Sequence, residues 1–179
     1  MALGATIVTH QREIHADDYF LGLFTTALRP GELIVGARFA QPQAAHYRKH
    51  EQPASRFAMV GVAVARLAGA DQSKSVRVAI TGLGNGVLRW HAAEQALTAR
   101  WHVAALESLA FPPADAMGDV HASAEYRAHL AGVMCRRAVA SLAEAKADTS
   151  LPAPPTIAET QPQAPAGLST FFKRIFRRP

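Results

Sequence analysis

Residues 56–81 read RFAMVGVAVARLAGADQSKSVRVAIT, and the two halves of that stretch set the architecture of the chain. The first half, 56–67, is nearly continuous in small and β-branched apolar residues. That is too even for a one-faced helix, and it predicts a strand covered on both faces. Gly69, Ala70, Asp71, Gln72 and Ser73 supply a turn, after which SVRVAIT at 75–81 alternates polar and apolar with period two. The pair is therefore expected to form a hairpin with one wetter face. Upstream, the Pro30-Gly31 turn introduces a strand over 32–39 that Pro42 closes, and residues 6–8 and 13–14 are short extended pieces. Asp17 is the expected N-cap of a short helix over 18–24.

Downstream of the hairpin, Gly82, Gly84 and Gly86 break the chain into a loop, and helical patterns follow at 92–97 and 103–109, the second stopped by Pro112-Pro113. The strongest helix starts after Ser123 as N-cap, with Tyr126, Leu130, Val133, Met134, Arg137, Ala138, Ser141 and Leu142 on one face. Strands first and helices afterwards predict an α+β fold: an antiparallel sheet of about three strands packed against a C-terminal set of helices. The domain is expected over 1–146. A Pro/Ala-rich flexible linker over 147–166 and a tail helix over 167–179 follow it.

The net charge of +5 belongs mostly to the tail, since residues 1–150 hold 15 basic and 13 acidic side chains. That distribution argues against nucleic acid as a partner. A lone Cys135 excludes an intrachain disulfide and is expected as a packed thiol, in keeping with a cytoplasmic chain. No run approaches the roughly 20 apolar residues of a membrane span, and the start lacks the pattern of an export leader. The eight histidines show no metal-ligand spacing within one helix, so no metal site is expected. Asp17-Asp18 reads as helix capping rather than as a carboxylate dyad.

Four segments carry a family resemblance: DDYFLGLFTTALRPGEL at 17–33, AHYRKHEQPASRFAMVGVAVA at 45–65, VRVAITGLGNGVLRWHAAEQALTA at 76–99 and SAEYRAHLAGVMCRRAVASL at 123–142. In this order they resemble the C-terminal domain of the FAD-binding (medium) subunit of carbon monoxide dehydrogenase and xanthine dehydrogenase-type molybdenum hydroxylases. The resemblance implies a domain that closes over a flavin and helps to bury it. Partners are implied too: a molybdenum-binding large subunit, an iron–sulfur small subunit and an FAD-binding half whose glycine-rich segments hold the pyrophosphate. The expectation is that this chain begins after that half, binds FAD only with a partner supplying it, and is not catalytic by itself.

By motif position the resemblance places Tyr47 and Lys49, of Y-x-K, near the flavin; the plainer reading is an edge-strand tyrosine and a solvated lysine. Phe20 and Phe24 lie where aromatic residues of the family approach the ring, although spacing of i and i+4 suits shared core burial equally. Arg56 extends the basic surface, whereas Glu51 places an acid where relatives often carry a base. The cluster G-L-G-N-G at 82–86 lacks the strand-to-helix spacing of a dinucleotide fingerprint and is expected to make a turn.

The tail stands outside the resemblance. Leu168, Phe171, Phe172, Ile175 and Phe176 fall at helical spacing, with Lys173, Arg174, Arg177 and Arg178 on the other side and at the end. Such a helix suits weak peripheral attachment to the inner face of the membrane, or docking into a groove on a partner protein. An adaptor that tethers an oxidoreductase to the membrane is thus the alternative to a flavin-subunit domain. On the membrane reading, the chain floats with anionic phospholipid vesicles and Phe172→Asp abolishes flotation; flotation indifferent to that change removes the membrane role.

Overall fold

A computed structural model of the chain describes residues 1–68 and 74–147, all within the unit Met1–Thr149. In chain order the elements are β1 (Thr6–Thr9), β2 (Glu13–His15), α1 (Ala16–Tyr19), β3 (Phe20–Gly22), β4 (Thr25–Thr26), β5 (Ile34–Arg38), β6 (Pro42–Glu51), β7 (Ala58–Ala68), β8 (Lys74–Thr81), β9 (Leu88–Arg89), α2 (His91–Ala99) and α3 (Ala124–Ala147). The main sheet is antiparallel in the order β6-β7-β8-β9, a second sheet runs β2-β1-β5, and β3 and β4 form a small ribbon. The expected α+β fold holds, with four strands in the main sheet and a second sheet beside it.

The hairpin of β7 and β8 is in register from Gly61 opposite Thr81 to Ala68 opposite Lys74; its connecting turn, 69–73, lies outside the described residues. Because successive side chains of a strand point to opposite faces, β7 sorts its residues into two sets. Val60, Val62 and Val64 are almost wholly buried beside Val76, Val78 and Ile80 of β8, and they form the core with Leu97 of α2 and Leu130, Met134, Cys135 and Ala138 of α3. Gly61, Ala63 and Ala65 point the other way. Leu67 shares that face, where Gly61, Ala65 and Leu67 are buried and Ala63 is partly so; the strand is covered on both faces over most of its length, as expected.

Ser123 caps α3 as expected, its Oγ accepting from the Tyr126 N–H at 3.3 Å. The buried stripe of α3 is rotated from the expected face. Leu130, Met134, Ala138 and Leu142 are inside, joined by Ala131, Cys135 and Val139, whereas Tyr126 and Arg137 are exposed. The helix packs against β6 and β7 on one flank and the 3-10 turns at Val103–Leu106 and Pro113–Asp115 on the other, so its covered arc is wider than one row. Burial pushes the Cys135 thiol up to about 12. It is a packed, inert group.

Four local expectations fail. Residues 18–24 are not a helix, since α1 ends at Tyr19 and the chain turns back through β3 and β4, with Phe24 at the turn in the left-handed region (φ 54). His15, not Asp17, caps α1, its Nδ1 accepting from the Asp17 N–H at 3.4 Å. Pro42 does not close a strand either: β5 ends at Arg38, and Pro42 opens β6. Over 103–109 only one 3-10 turn forms, at Val103–Leu106.

Arg127 pins α3 to the sheet. Its Nη1 donates to the carbonyls of Met59 and Gly82 at 2.8 Å each, and its Nη2 lies 2.6 Å from Asp119 Oδ2. The Arg127 guanidinium, with the His121 and Ala122 N–H groups, holds the Asp119 carboxyl down to about 2. Gly82 is required at this junction. Its φ is +83, and a Cβ there would stand 2.2 Å from the Met59 oxygen.

Glu32 performs the matching task in the N-terminal sheet, accepting from Arg12 Nε at 2.9 Å, Thr9 Oγ1 at 2.8 Å and the Arg29 N–H at 2.8 Å. The Arg12 guanidinium, then the Arg29 N–H, lower its carboxyl from 4.5 to about 2. A depressed carboxyl stabilises the folded state fully above its unfolded pKa and loses that contribution as pH falls toward the folded value. Glu32→Gln is therefore less stable than the parent at neutral pH. The difference narrows between about pH 4.5 and about 2, as urea midpoints across that range will show.

Candidate functional site

The face of the main sheet away from the helices carries the candidate residues. On β6, Arg48 Nη2 donates to Ser141 Oγ of α3 at 2.7 Å, and the His50 ring meets Tyr126 of α3 edge-on at 6.4 Å. Alternation then sends Ala45, Tyr47 and Lys49 to the opposite face. There Tyr47 pairs with Ala63 and Lys49 with Gly61, while Thr81 faces Gly61 from the other side. Tyr47 is half exposed. The tip of its phenol lies above Gly61: a Cβ on that glycine would be 2.2 Å from the Tyr47 hydroxyl and 2.8 Å from Thr81 Oγ1.

Lys49 is held rather than free. Its Nζ donates to the Arg56 carbonyl at 2.9 Å and stands 3.3 Å from Glu51 Oε1, and Arg56 Nε reaches Glu51 Oε2 at the same distance. Arg56 takes φ 62, a left-handed conformation costing a non-glycine residue about 1–2 kcal/mol, in the turn after β6 that aims its carbonyl at Lys49. Tyr47, Lys49 and Arg56 are thus brought to one end of β6, with Glu51 between the two cations.

The structure treats Phe20 and Phe24 differently. Phe20 lies edge-on to Tyr19 at 5.0 Å and beside the loop at Gly86, whereas Phe24 at the ribbon turn is almost wholly exposed (98%). They do not share a buried helix face.

What ties this N-terminal segment to the main sheet is an ion network that a local reading of the sequence misses. Asp17 accepts from Arg77 Nη1 at 3.0 Å and from Arg89 Nη1 at 2.9 Å, so its carboxylate bridges β8 and β9. Arg89 also grips Glu94 of α2, with contacts of 2.9 and 2.6 Å, and Glu94 Oε1 accepts from the Val78 N–H at 3.0 Å. Burial pushes the Glu94 carboxyl up, but the hydrogen bonds from Arg89 and Val78 outweigh it and leave the group below its usual range. Among the described residues, no three His, Cys, Asp or Glu side chains converge as metal ligands, and no helix is long and apolar enough to cross a membrane. The linker 147–166 and tail 167–179, including Leu168, Phe171, Phe172, Lys173, Arg174, Ile175, Phe176, Arg177 and Arg178, lie outside the described residues but for Ala147, the last residue of α3.

These features define a two-layer α+β domain with one open sheet face and an N-terminal sheet latched across part of it. The model of the CO dehydrogenase flavoprotein C-terminal domain matches residues 45–142, and the chain belongs to that family. It is 31% identical over 139 residues to the carbon monoxide dehydrogenase medium chain of Afipia carboxidovorans, an alignment covering 72% of this chain and 47% of that one. Reconstituted CO dehydrogenase from Oligotropha carboxidovorans superposes with a TM-score of 0.65 at 28% identity, over 79% of this chain and 53% of the other. Carbon monoxide dehydrogenase from Hydrogenophaga pseudoflava gives 0.62 at 26%, over 80% and 54%. The chain spans about half the length of the curated relatives it matches.

Asp17→Ala leaves Arg77 and Arg89 facing each other without their shared acceptor, so it lowers stability by about 1–3 kcal/mol. The neighbouring exposed Asp18→Ala changes stability by less than about 0.5 kcal/mol. Urea titrations of the two variants measure the contrast, which a capping role for both residues does not produce.

Proposed function

We propose that this chain is the flavin-covering and subunit-contact domain of a molybdenum hydroxylase flavoprotein of the carbon monoxide dehydrogenase type. It works on FAD held jointly with a partner that supplies the FAD-binding half. The observation that carries this reading is the apolar surface its fold leaves open in the first forty residues. Leu21, Leu23 and Phe24 project from the β3–β4 ribbon, and Leu33, Ile34, Val35 and Phe39 lie along β5, an edge strand of its sheet. An open, apolar strand edge is a template for pairing with another segment. The chain spans about half the length of the curated relatives it matches, and the flavoprotein half outside that span is the occupant of matching kind.

The chain's own residues fit one part of the cofactor. Tyr47 offers an aromatic surface, and Lys49 a cation whose direction is fixed by Glu51 and the Arg56 carbonyl. Phe20 and Phe24 stand on the segment that abuts the partner half. A phosphate cradle is a different matter: at 82–86, Gly82 is spent on close approach to Met59, and the loop leads into β9 rather than a helix. A flavin bound there would pass on electrons that arrive from a molybdenum site through iron–sulfur clusters in sister subunits of a cytoplasmic assembly. Lys49 favours negative charge on the reduced ring, and Tyr47 helps to exclude water.

Co-expression with the FAD-binding half of a relative tests this reading. The two polypeptides are expected to co-purify with visible flavin absorbance that neither retains alone. Lys49→Ala is expected to weaken FAD retention about 5–10-fold, on the order of 1 kcal/mol for one charge-assisted contact. A chain that holds stoichiometric FAD by itself, or one that leaves the partner's flavin content unchanged, refutes the proposal.

A further inference from the structure

Gly61 is the fourth residue of an eleven-residue strand, paired on both sides, and its backbone does not have the positive φ that demands glycine. Glycine at such a place weakens a strand and marks a close approach by another group. Here the approaching group is identified. The phenol of Tyr47 leans along the sheet from its position opposite Ala63, and its hydroxyl comes within 2.2 Å of the point where a Cβ on residue 61 would stand. Thr81 Oγ1 flanks the same point at 2.8 Å, with its hydroxyl directed toward the Gly61 carbonyl at 3.4 Å. Across three strands, Tyr47, Gly61 and Thr81 form one seat.

We propose that Gly61 is a positioning residue that lets the Tyr47 ring lie down on the sheet, keeping the open face level for a planar heteroaromatic group. A side chain at 61 lifts the phenol off the floor and stands it in the path of such a ring. The assignment of that group as flavin rests on the function proposed above, whereas the seating of Tyr47 does not.

The test uses the full chain. A methyl group at residue 61 meets the far end of the Tyr47 side chain and the Thr81 hydroxyl, so Gly61→Ala is expected to fold with Tyr47 giving way and Thr81 Oγ1 turning aside. Nitration of the Tyr47 peptide by tetranitromethane, followed by mass spectrometry, is expected to rise several-fold, with Tyr19 and Tyr126 as internal references. Added to the co-purified FAD-binding half, the variant is expected to retain FAD about tenfold less well and to shift the flavin reduction potential, which a purely structural role for Gly61 would not move. Unchanged nitration of Tyr47 overturns the seating. Raised nitration with unchanged flavin retention and potential leaves the seating intact and overturns the assignment of this face to flavin. Should Gly61→Ala fail to fold, the double variant Gly61→Ala/Tyr47→Ala decides: recovery of the fold supports a clash with Tyr47, and failure to recover shows that the backbone itself needs glycine.

Discussion

The two-residue period of β7 governs most of what this molecule can do. A strand hydrogen-bonded on both sides cannot rotate its residues independently, so placing Val60, Val62 and Val64 against the helices commits Gly61, Ala63 and Ala65 to the far side. The β-branched set gains the contact that holds the sheet to α2 and α3. On that far side Ala65 and Leu67 are buried as well, whereas the small Gly61 and Ala63 leave a shallow surface on which Tyr47 settles and Lys49 stands beside it. One alternation thus yields both a stable layer and an open face, and a shift of register by one residue would exchange them.

The rest of the architecture protects that arrangement at its ends. At one end Arg127, itself buried, satisfies the carbonyls of Met59 and Gly82 and so locks the start of β7 and the end of β8 to α3. Toward the other, Asp17 draws the N-terminal segment onto Arg77 and Arg89, where a Cβ on Gly4 would lie 3.7 Å from Leu67. The open face is therefore bounded rather than bare. The charges forming those bounds are paired with opposite charges, as half-buried charges must be to be tolerated, although Arg127 Nε itself is buried without an acceptor among the described residues.

Legibility in the sequence followed the range of the interactions. The strand 58–68 and the cap of α3 at Ser123 were readable because apolar run, period and capping residue are local signals. The helix expected at 18–24 rested on Asp17 as its N-cap, and the i, i+4 spacing of Phe20 and Phe24 here reflects two exposed sites on a ribbon and its turn. Asp17 was assigned to capping because its true partners lie 60 and 72 residues away. Only the fold brings them together. Of the candidate site, Y-x-K was visible as a motif, but Gly61 and Thr81 were not, since nothing nearby in the sequence states which residue a strand neighbour will lean on.

Glu51 gains a meaning that its charge alone obscured. An acid beside a lysine proposed to face an anionic ring weakens the long-range attraction, and on that ground it counts against cofactor binding. Yet Lys49 has a long, rotamer-rich side chain, and a free ammonium in this position would lose much of its gain to ordering on contact. Glu51 on one side and the Arg56 carbonyl on the other spend that entropy during folding, at the cost of a left-handed Arg56. The face consequently offers a directed donor with a muted field. Such a group suits a domain that covers a ring already held by its phosphates elsewhere, because the last contact to form needs orientation more than attraction.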